Sequence, residues 1–308
     1  MHHFLTLKGV GLLMGLALCG ALLMGTPSWA TEGGGGAYPN GAEDFMVGAA
    51  PPPGTYLINY FEYYSAPGFK NNNGNNDARY KKFDLDVYAN VFRVIHMTKE
   101  TFLGGNWGMH LFLPLVHQGV EVDIAGGPRL NSNWNGVGDV IIDPFILSWH
   151  WKNFHVTSGM DTYIPTGNYD PTRPANTGRN YWTFEPIVAG TFITDGGFEV
   201  STKLMYDFNT LNMDTDYRSG QEFHLDYLVG QKVGNFDLGV GGYYYQQTTD
   251  DTKRGYTVQD NKGMTLAIGP AVKYDYKNMS VTGKYYYEVE TKNKPQGSSL
   301  WVKFMYAF

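Results

Sequence analysis

Apolar and polar positions alternate along the last ten residues of the chain. One face of this segment is apolar and the other is polar or small, as in an extended strand: the first face holds Leu300, Val302, Phe304, Tyr306 and Phe308, and the second holds Ser299, Lys303 and Ala307. A soluble chain end is usually polar and frayed, so an apolar strand that closes on Phe308 favours an outer-membrane β-barrel, whose outer face meets lipid. The alternative interpretation is an edge strand of a soluble sandwich.

The same alternation recurs along the chain in segments of strand length. These segments predict an all-β fold, a transmembrane antiparallel up-and-down β-barrel of about twelve strands of the outer-membrane type. The candidate strands are Tyr56–Ser65, Tyr80–Ile95, Trp107–Gln118, Gly138–His150, Phe154–Pro165, Tyr181–Ile193, Phe198–Phe208, Glu222–Val233, Phe236–Gln247, Met264–Tyr276, Met279–Glu290 and Ser299–Phe308.

Short and long connections alternate between these segments. Tight turns are predicted at 151–153, 195–197, 234–235 and 277–278, and long polar loops at 66–79, 119–137 and 166–180. Outer-membrane barrels place short turns in the periplasm and long loops outside the cell. We therefore expect both ends of the barrel domain, residues 54–308, to face the periplasm.

The amino-terminal part of the chain has two distinct segments. Residues 1–30 combine Lys8, an apolar run and the small residues around Ala30, which predicts a cleaved secretory signal peptide. A lipoprotein would need a small residue before Cys19, where Leu18 stands instead. No other stretch approaches the roughly 18 apolar residues of a spanning helix.

Residues 31–53 are rich in glycine and proline and cannot pair into a sheet. Two interpretations are open: a loose periplasmic leader, or a segment tucked into the barrel lumen. The candidate plug residues are Phe45, Met46, Pro51, Pro52 and Pro53.

The composition supports a barrel, and the net charge limits the kinds of partner that the protein can bind. The chain has 39 Gly, 23 Tyr, 18 Phe and 7 Trp, and a net charge of -6, which argues against a nucleic-acid partner. Charged residues are predicted on the lumen face, where they either pair and fill a narrow barrel or tune the field of a pore. They are Asp84, Asp86, Asp139, Asp143, Asp161, Glu185, Glu199, Asp207, Glu222, Asp226, Asp275 and Glu288, with Lys203, Lys273 and Lys284.

Candidate chemistry is sparse. His110, His150, His155 and His224 share no spacing that would place two of them on one site within a strand, so no metal site is predicted. The nearby pairs Ser148/His150 and Ser158/His155 lack a recognisable nucleophile motif and orienting partner. The sequence therefore predicts no catalytic residue, no cofactor and no enzyme, with a barrel-borne hydrolase as the least favoured alternative.

Several aromatic residues fall on the inward register. They could stack weakly on an aromatic or hydrophobic solute, or could simply fill the interior of a narrow barrel. These residues are Tyr243, Tyr245, Tyr286, Phe112 and Trp301.

Specific stretches resemble one family, the outer-membrane proteins associated with the meta-cleavage pathway of phenol degradation. They are Gly41-Ala42-Glu43, Pro51-Pro52-Pro53-Gly54 with Tyr56, Gly138-Asp139 with Pro144, Leu147-x-Trp149-His150, Pro165-Thr166-Gly167-x-Tyr169-Asp170, and Gly178-Arg179-Asn180-Tyr181-Trp182-Thr183-Phe184-Glu185-Pro186. The resemblance implies a barrel in the outer membrane of a Gram-negative bacterium that helps hydrophobic or aromatic compounds across. Its expected partners are membrane lipid and lipopolysaccharide, the solute, and the assembly machinery, which reads the terminal Phe308 strand.

The resemblance carries no catalytic residues. In the 166–180 loop we expect a rigid excursion in which Arg179 pairs with a carboxylate such as Glu185, as a latch or a gate. The sequence thus predicts passive uptake of small, phenol-like hydrophobic or aromatic molecules. The alternative is a non-conducting structural or adhesive barrel.

Overall fold

The computed structural model describes residues 30–308, and the predicted signal peptide lies outside the described residues except for Ala30. A short 3₁₀ turn occupies Glu32–Gly34. The strands are β1 (Gly54–Ala66), β2 (Tyr80–Phe102), β3 (Gly105–Ile124), β4 (Arg129–Val137), β5 (Val140–His150), β6 (Phe154–Ile164), β7 (Thr183–Ile193), β8 (Phe198–Asn209), β9 (Leu211–Asn212), β10 (Tyr217–Arg218), β11 (Glu222–Val233), β12 (Phe236–Gln247), β13 (Asp251–Lys253), β14 (Tyr256–Val258), β15 (Met264–Tyr276), β16 (Met279–Lys292) and β17 (Ser298–Ala307). Within residues 30–308 no helix is both long and apolar enough to cross a membrane.

Antiparallel pairing between successive long strands closes the sheet into a barrel. The last strand returns to the first, with Tyr306 opposite Leu57 and Leu300 opposite Tyr63. The sheet has thirteen strands, but β4 pairs only with the outer part of β3, so twelve strands form the wall. Closure leaves no free edge around the wall, which satisfies the backbone hydrogen bonds in lipid. The predicted fold, an outer-membrane-type β-barrel of twelve strands, is confirmed.

The outer face of the wall is an apolar surface of period two. On β8, Val200 and Leu204 are 39% and 41% exposed, whereas the residues that precede them, Glu199 and Lys203, are 3% and 4% exposed. A one-residue slip would turn those charges toward lipid, so the hydrophobic pattern fixes the register. The exposed apolar side chains continue around the barrel and form the surface that lipid covers.

The lumen assignment of Asp84 and Asp86 is wrong. On β2 the apolar residues that alternate with these carboxylates, Phe83, Leu85 and Val87, line the interior cavity. The two carboxylates therefore project outward. Asp84 pairs there with Lys82 at 3.0 Å, with its side chain 40% exposed. The sequence prediction placed both carboxylates inside, but this part of β2 has its polar residues on the outer face.

The hairpin formed by β3 and β4 also differs from the prediction. Residues 119–137 were expected to be a loop, but β3 continues to Ile124 and β4 pairs back on it. The turn between them needs Gly126, whose φ is +73°. At the other end of β2, a tight turn follows Phe102 and contains Gly104, with a φ of +75°.

Four short strands, β9, β10, β13 and β14, form a separate small sheet above the long-loop end. These strands have two or three residues each, too short for the alternation to be recognised in the sequence.

Candidate functional site

The segment of residues 30–53 threads the lumen from the long-loop end to the short-turn end. At the outer end the Ala30 N–H donates to the Asn293 carbonyl (3.2 Å) and the Glu32 N–H donates to Ser219 Oγ (3.1 Å). Near the opposite end the Gly48 N–H donates to Thr191 Oγ1 (3.0 Å), and the chain then enters β1. We call residues 30–53 the lumen segment.

Asp226 on β11 holds the middle of the lumen segment. It accepts hydrogen bonds from the Tyr38 hydroxyl (2.6 Å) and from the Gly41 and Glu43 main-chain N–H groups (both 3.0 Å). Gly41 has a φ of +81°, and a Cβ there would lie 2.8 Å from the Tyr243 ring. A larger residue would therefore be both strained and crowded.

An ion network binds the next part of the lumen segment. Asp44 pairs with Lys284 of β16 (3.0 Å) and Lys303 of β17 (2.5 Å), and the Asp44 and Lys284 side chains have no exposed surface. Glu43 pairs with Arg93 of β2 at 3.0 Å. Buried charges of this kind are stable only with their partners in place, so the network couples the segment to the wall.

Phe45 anchors the segment through packing. It is 5% exposed and clusters with Leu228 and Ala271. The wall leaves room for its ring because Gly230 and Gly239 lie there, and a Cβ on either would come within 2.8 Å or 3.1 Å of the ring. The adjacent Met46 N–H donates to Glu199 Oε1 at 2.6 Å. The three prolines follow, with Pro52 accepting a hydrogen bond from the Tyr56 hydroxyl (2.8 Å).

All five predicted lumen aromatics face inward, but four of them are packed. Tyr243, Tyr245, Tyr286 and Trp301 are at most 4% exposed. Tyr243 donates to Glu288 (2.7 Å) and Tyr245 to Glu222 (2.9 Å). Phe112 is less buried, with the Arg93 guanidinium 4.6 Å from the centre of its ring, and it lines a cavity together with Tyr243 and Trp301. A solute-stacking role for the five stays a prediction.

A cavity of about 290 Å³ lies between the lumen segment and the β2–β3 side of the wall. The β2–β3 side of its wall is apolar, with Phe83, Leu85, Val91, Phe112 and Val116 facing it, whereas charged residues such as Glu62, Asp161 and Lys203 line the rest. The sequence analysis missed this patch because it assumed a polar lumen throughout. The signal was present in the middle of β3, where residues 111–116 are apolar on both faces.

The predicted latch takes a different form. The Arg179 main-chain N–H donates to Asp139 Oδ2 (2.7 Å), and its guanidinium lies against Gly35 of the lumen segment. Glu185 instead accepts from the Tyr163 hydroxyl (3.3 Å) deep in the lumen. Arg179 and Glu185 do not form an ion pair in the part of the chain that the structure describes.

The serine–histidine pairs show no catalytic geometry. Ser148 Oγ lies 3.2 Å from His150 Nε2 but donates to the Val156 carbonyl, and His150 Nδ1 faces His155 Nδ1 at 3.0 Å. Ser158 donates to the Ile187 carbonyl. Neither pair has a carboxylate that would orient its histidine among residues 30–308.

The molecule is thus an outer-membrane-type β-barrel with a peptide segment folded into its lumen. The family model described as "Putative MetA-pathway of phenol degradation" matches residues 67–304, and the chain belongs to that family. The resemblance predicted from the sequence is confirmed.

Solved structures agree on the fold. An outer membrane channel from Pseudomonas putida F1 is similar to this chain with a TM-score of 0.77 and 17% identity, covering 86% of this chain and 100% of that one. The β domain of the Bordetella autotransporter BrkA aligns with a TM-score of 0.50 and 11% identity, covering 83% and 100%. No curated protein sequence matches the chain. The matches indicate no catalytic family, in agreement with the prediction that the chain is not an enzyme.

Proposed function

We propose that the protein is an outer-membrane channel for passive entry of small hydrophobic or aromatic molecules, with the lumen segment restricting flow. The observation that carries the proposal is the apolar β2–β3 side of the cavity beside that segment. In a water-filled porin the lumen is polar, so an apolar inner wall indicates a solute that gains by leaving water.

The expected binding strength suits transport. Burying a side chain the size of phenylalanine contributes about 1.5–3 kcal/mol, enough to concentrate a phenol-like solute and weak enough to release it. Both the family description and the channel from Pseudomonas putida F1 support the proposal.

Export and assembly complete the proposal. Residues 1–30 act as a cleaved signal peptide, and the terminal strand is read by the assembly machinery. Phe308 is 79% exposed at the short-turn end, where a partner can reach it. Lipopolysaccharide contacts the outer end of the apolar surface.

Planar-bilayer conductance and liposome swelling test the channel. We expect small discrete openings for the full mature chain and a larger conductance when residues 31–53 are deleted. Swelling should be faster with phenol than with benzoate or a sugar of similar size. Silence of both forms would leave the non-conducting structural barrel, which the occupied lumen favours, as the function.

A pair of double variants on β2 tests the route. Leu85→Gln with Val87→Thr makes the cavity wall polar and should slow phenol entry while leaving sugar entry unchanged. Asp84→Asn with Asp86→Asn alters the outer face of the same strand and should change neither rate. Equal effects of the two variants on phenol entry would contradict the apolar route.

A further inference from the structure

Three ionisable side chains converge on one point in the lumen wall. Glu222 and His224 are alternate residues of β11, and Asp207 of β8 is paired directly opposite Glu222. All three side chains have no exposed surface, and their donor atoms lie within 4.8 Å of one another. The function proposed above makes no use of them.

The donor atoms that point at one another make no hydrogen bonds. They are both carboxylate oxygens of Asp207, Oε2 of Glu222 and Nε2 of His224. Buried polar atoms are otherwise almost always paired, and each one left unpaired costs about 1–3 kcal/mol. Four such atoms around one point indicate that a ligand belongs between them.

The outer contacts orient these groups for coordination. His224 Nδ1 lies 2.7 Å from Asn40 Oδ1 and, because a carbonyl oxygen only accepts, the ring proton is on Nδ1. In the neutral imidazole, the form that binds a metal, Nε2 then presents its lone pair to the two carboxylates. Glu222 is held by the Tyr245 hydroxyl, which donates to Oε1 at 2.9 Å. Metal-binding histidines and carboxylates are typically fixed by such second hydrogen bonds.

The separations fit a cation better than a proton. His224 Nε2 lies 3.4 Å from Asp207 Oδ2 and 3.7 Å from Glu222 Oε2. A charge-assisted hydrogen bond would be about 2.7–2.9 Å. Two ligands of a tetrahedral ion with bonds of about 2.1 Å lie roughly 3.4 Å apart.

We propose that Asp207, Glu222 and His224 form a binding site for a divalent transition-metal ion of the Zn²⁺ class. Nitrogen from one imidazole and oxygen from two carboxylates is a donor set that such ions accept. The ion neutralises two buried carboxylates, which no lysine or arginine reaches within ion-pair distance in residues 30–308.

A second cluster in the same lumen provides a contrast. His110, Asp143 and Asp161 also lie close together, but their polar atoms have protein partners. His110 lies 2.7 Å from Asp161 and 2.8 Å from Arg93, and Asp143 accepts two main-chain N–H groups. It is a completed ion network with no place for a metal.

The sequence analysis predicted no metal site because it looked for two histidines on one strand. The proposed ligands are one histidine and two carboxylates on neighbouring strands, a combination that only the strand register reveals.

The site lies beneath the lumen segment. Asn40 holds the histidine, and a Cβ on Gly36 would come 2.7 Å from Glu222 Oε2. The ion should therefore stabilise the segment in its seat, independently of whether the barrel conducts.

Metal content and titration of the refolded full mature chain test the site. After EDTA treatment and dialysis, we expect calorimetry with ZnCl₂ to show one ion per chain. Asp207→Asn and His224→Ala should each lower the affinity at least tenfold. The control His150→Ala, which alters a histidine at the rim, should bind as the unaltered chain does. Zinc binding by His224→Ala with unchanged affinity, or no binding by the unaltered chain, would overturn the proposal.

A spectroscopic measurement keeps the test independent of variants that fail to fold. Co²⁺ loaded into the unaltered chain should give visible d–d bands of a four-coordinate site, and X-ray absorption of the Zn²⁺ form should show one imidazole with oxygen ligands. A six-coordinate, all-oxygen spectrum would indicate only surface or lipopolysaccharide binding and would refute the site. Bound zinc should also slow chymotrypsin cleavage after Phe45 in the lumen segment, and equal cleavage with and without zinc would refute its coupling to the segment.

Discussion

Asp44→Asn is the sharpest test of whether charges hold the lumen segment in place. In the structure Asp44 lies between Lys284 and Lys303, at 3.0 Å and 2.5 Å. The substitution keeps the size of the side chain and removes its charge. Two ammonium groups are then left facing each other, one of them fully buried.

The magnitude follows from the burial of the pair. Removing one partner of a buried ion pair costs about 3–5 kcal/mol, because the remaining charge stays desolvated. The lysines can regain water only if the segment leaves its seat. The substitution should therefore shift the equilibrium between seated and released segment by roughly two to four orders of magnitude.

Single-channel recording and protease sensitivity measure this shift. We expect longer and more frequent large openings from Asp44→Asn, together with faster chymotrypsin cleavage after Phe45 in the lumen segment. Asp195→Asn is the control, because it breaks the ion pair with Lys152 at 2.7 Å on the surface, where both side chains are more than 70% exposed. Its effect should be within about 1 kcal/mol, too small to open the channel.

A second substitution separates the effect of excess charge from the loss of the hydrogen bonds of Asp44. Adding Lys284→Met to Asp44→Asn removes the buried unpaired ammonium and should restore most of the closed state. If Asp44→Asn runs as a folded barrel and both its openings and its cleavage match those of the unaltered chain, charge pairing does not seat the segment. If Lys284→Met gives no recovery, the loss comes from the hydrogen bonds of Asp44 and not from excess charge.

Three further outcomes are expected. Gly41→Val should release the lumen segment in the same protease assay, since a φ of +81° costs a branched residue about 1–3 kcal/mol. Gly283→Ala should not, because a Cβ there would meet only Val272 Cγ1, at an ordinary contact distance of 3.9 Å. Val240→Lys, midway along β12 and 52% exposed, should lower folding stability in liposomes by about 2–4 kcal/mol, and Tyr256→Lys in the outer sheet should not. Burial raises the pKa of Asp77, but hydrogen bonds from the neighbouring arginine outweigh it and hold that pKa below its ordinary value. The loop at 66–79 should therefore stay ordered at neutral pH and become sensitive to pepsin below about pH 4, as the folded pKa is passed, whereas unchanged pepsin resistance there would contradict this.

Most of the barrel could be predicted from the sequence because the outer face of its wall meets lipid and the inner face meets polar groups or water. Where lipid lies outside and charge inside, as on β8, each residue identifies its side. On β2 the inner face holds Phe83 and Leu85 while Asp84 faces outward, so the rule reverses and the prediction was wrong. Alternation shows that a strand has an apolar side and a polar side, but it does not by itself show which of the two faces the lumen.

The contacts of the lumen could not be predicted for a related reason. Asp44, Asp226 and Lys284 are separated by long stretches of chain, and only closure of the barrel brings them together. Residues 31–53 have no periodicity from which a position could be inferred. Phe45 was recognised as apolar, but its seat depends on two glycines that are conspicuous only when the ring is in place.

The distribution of charge within the lumen gives the channel its selectivity under the proposed function. Several inward charges, such as Asp226, Lys284 and Glu199, bind the lumen segment, so they are not available to attract ions in transit. Because the segment is drawn toward that charged side, the space that remains lies along the apolar side formed by β2 and β3. Charge pairing thus fills part of the polar lumen and leaves a passage that is apolar along its β2–β3 side. Releasing the segment should consequently raise ion and sugar flux far more than phenol flux, and equal increases for all three solutes would contradict this division of the lumen.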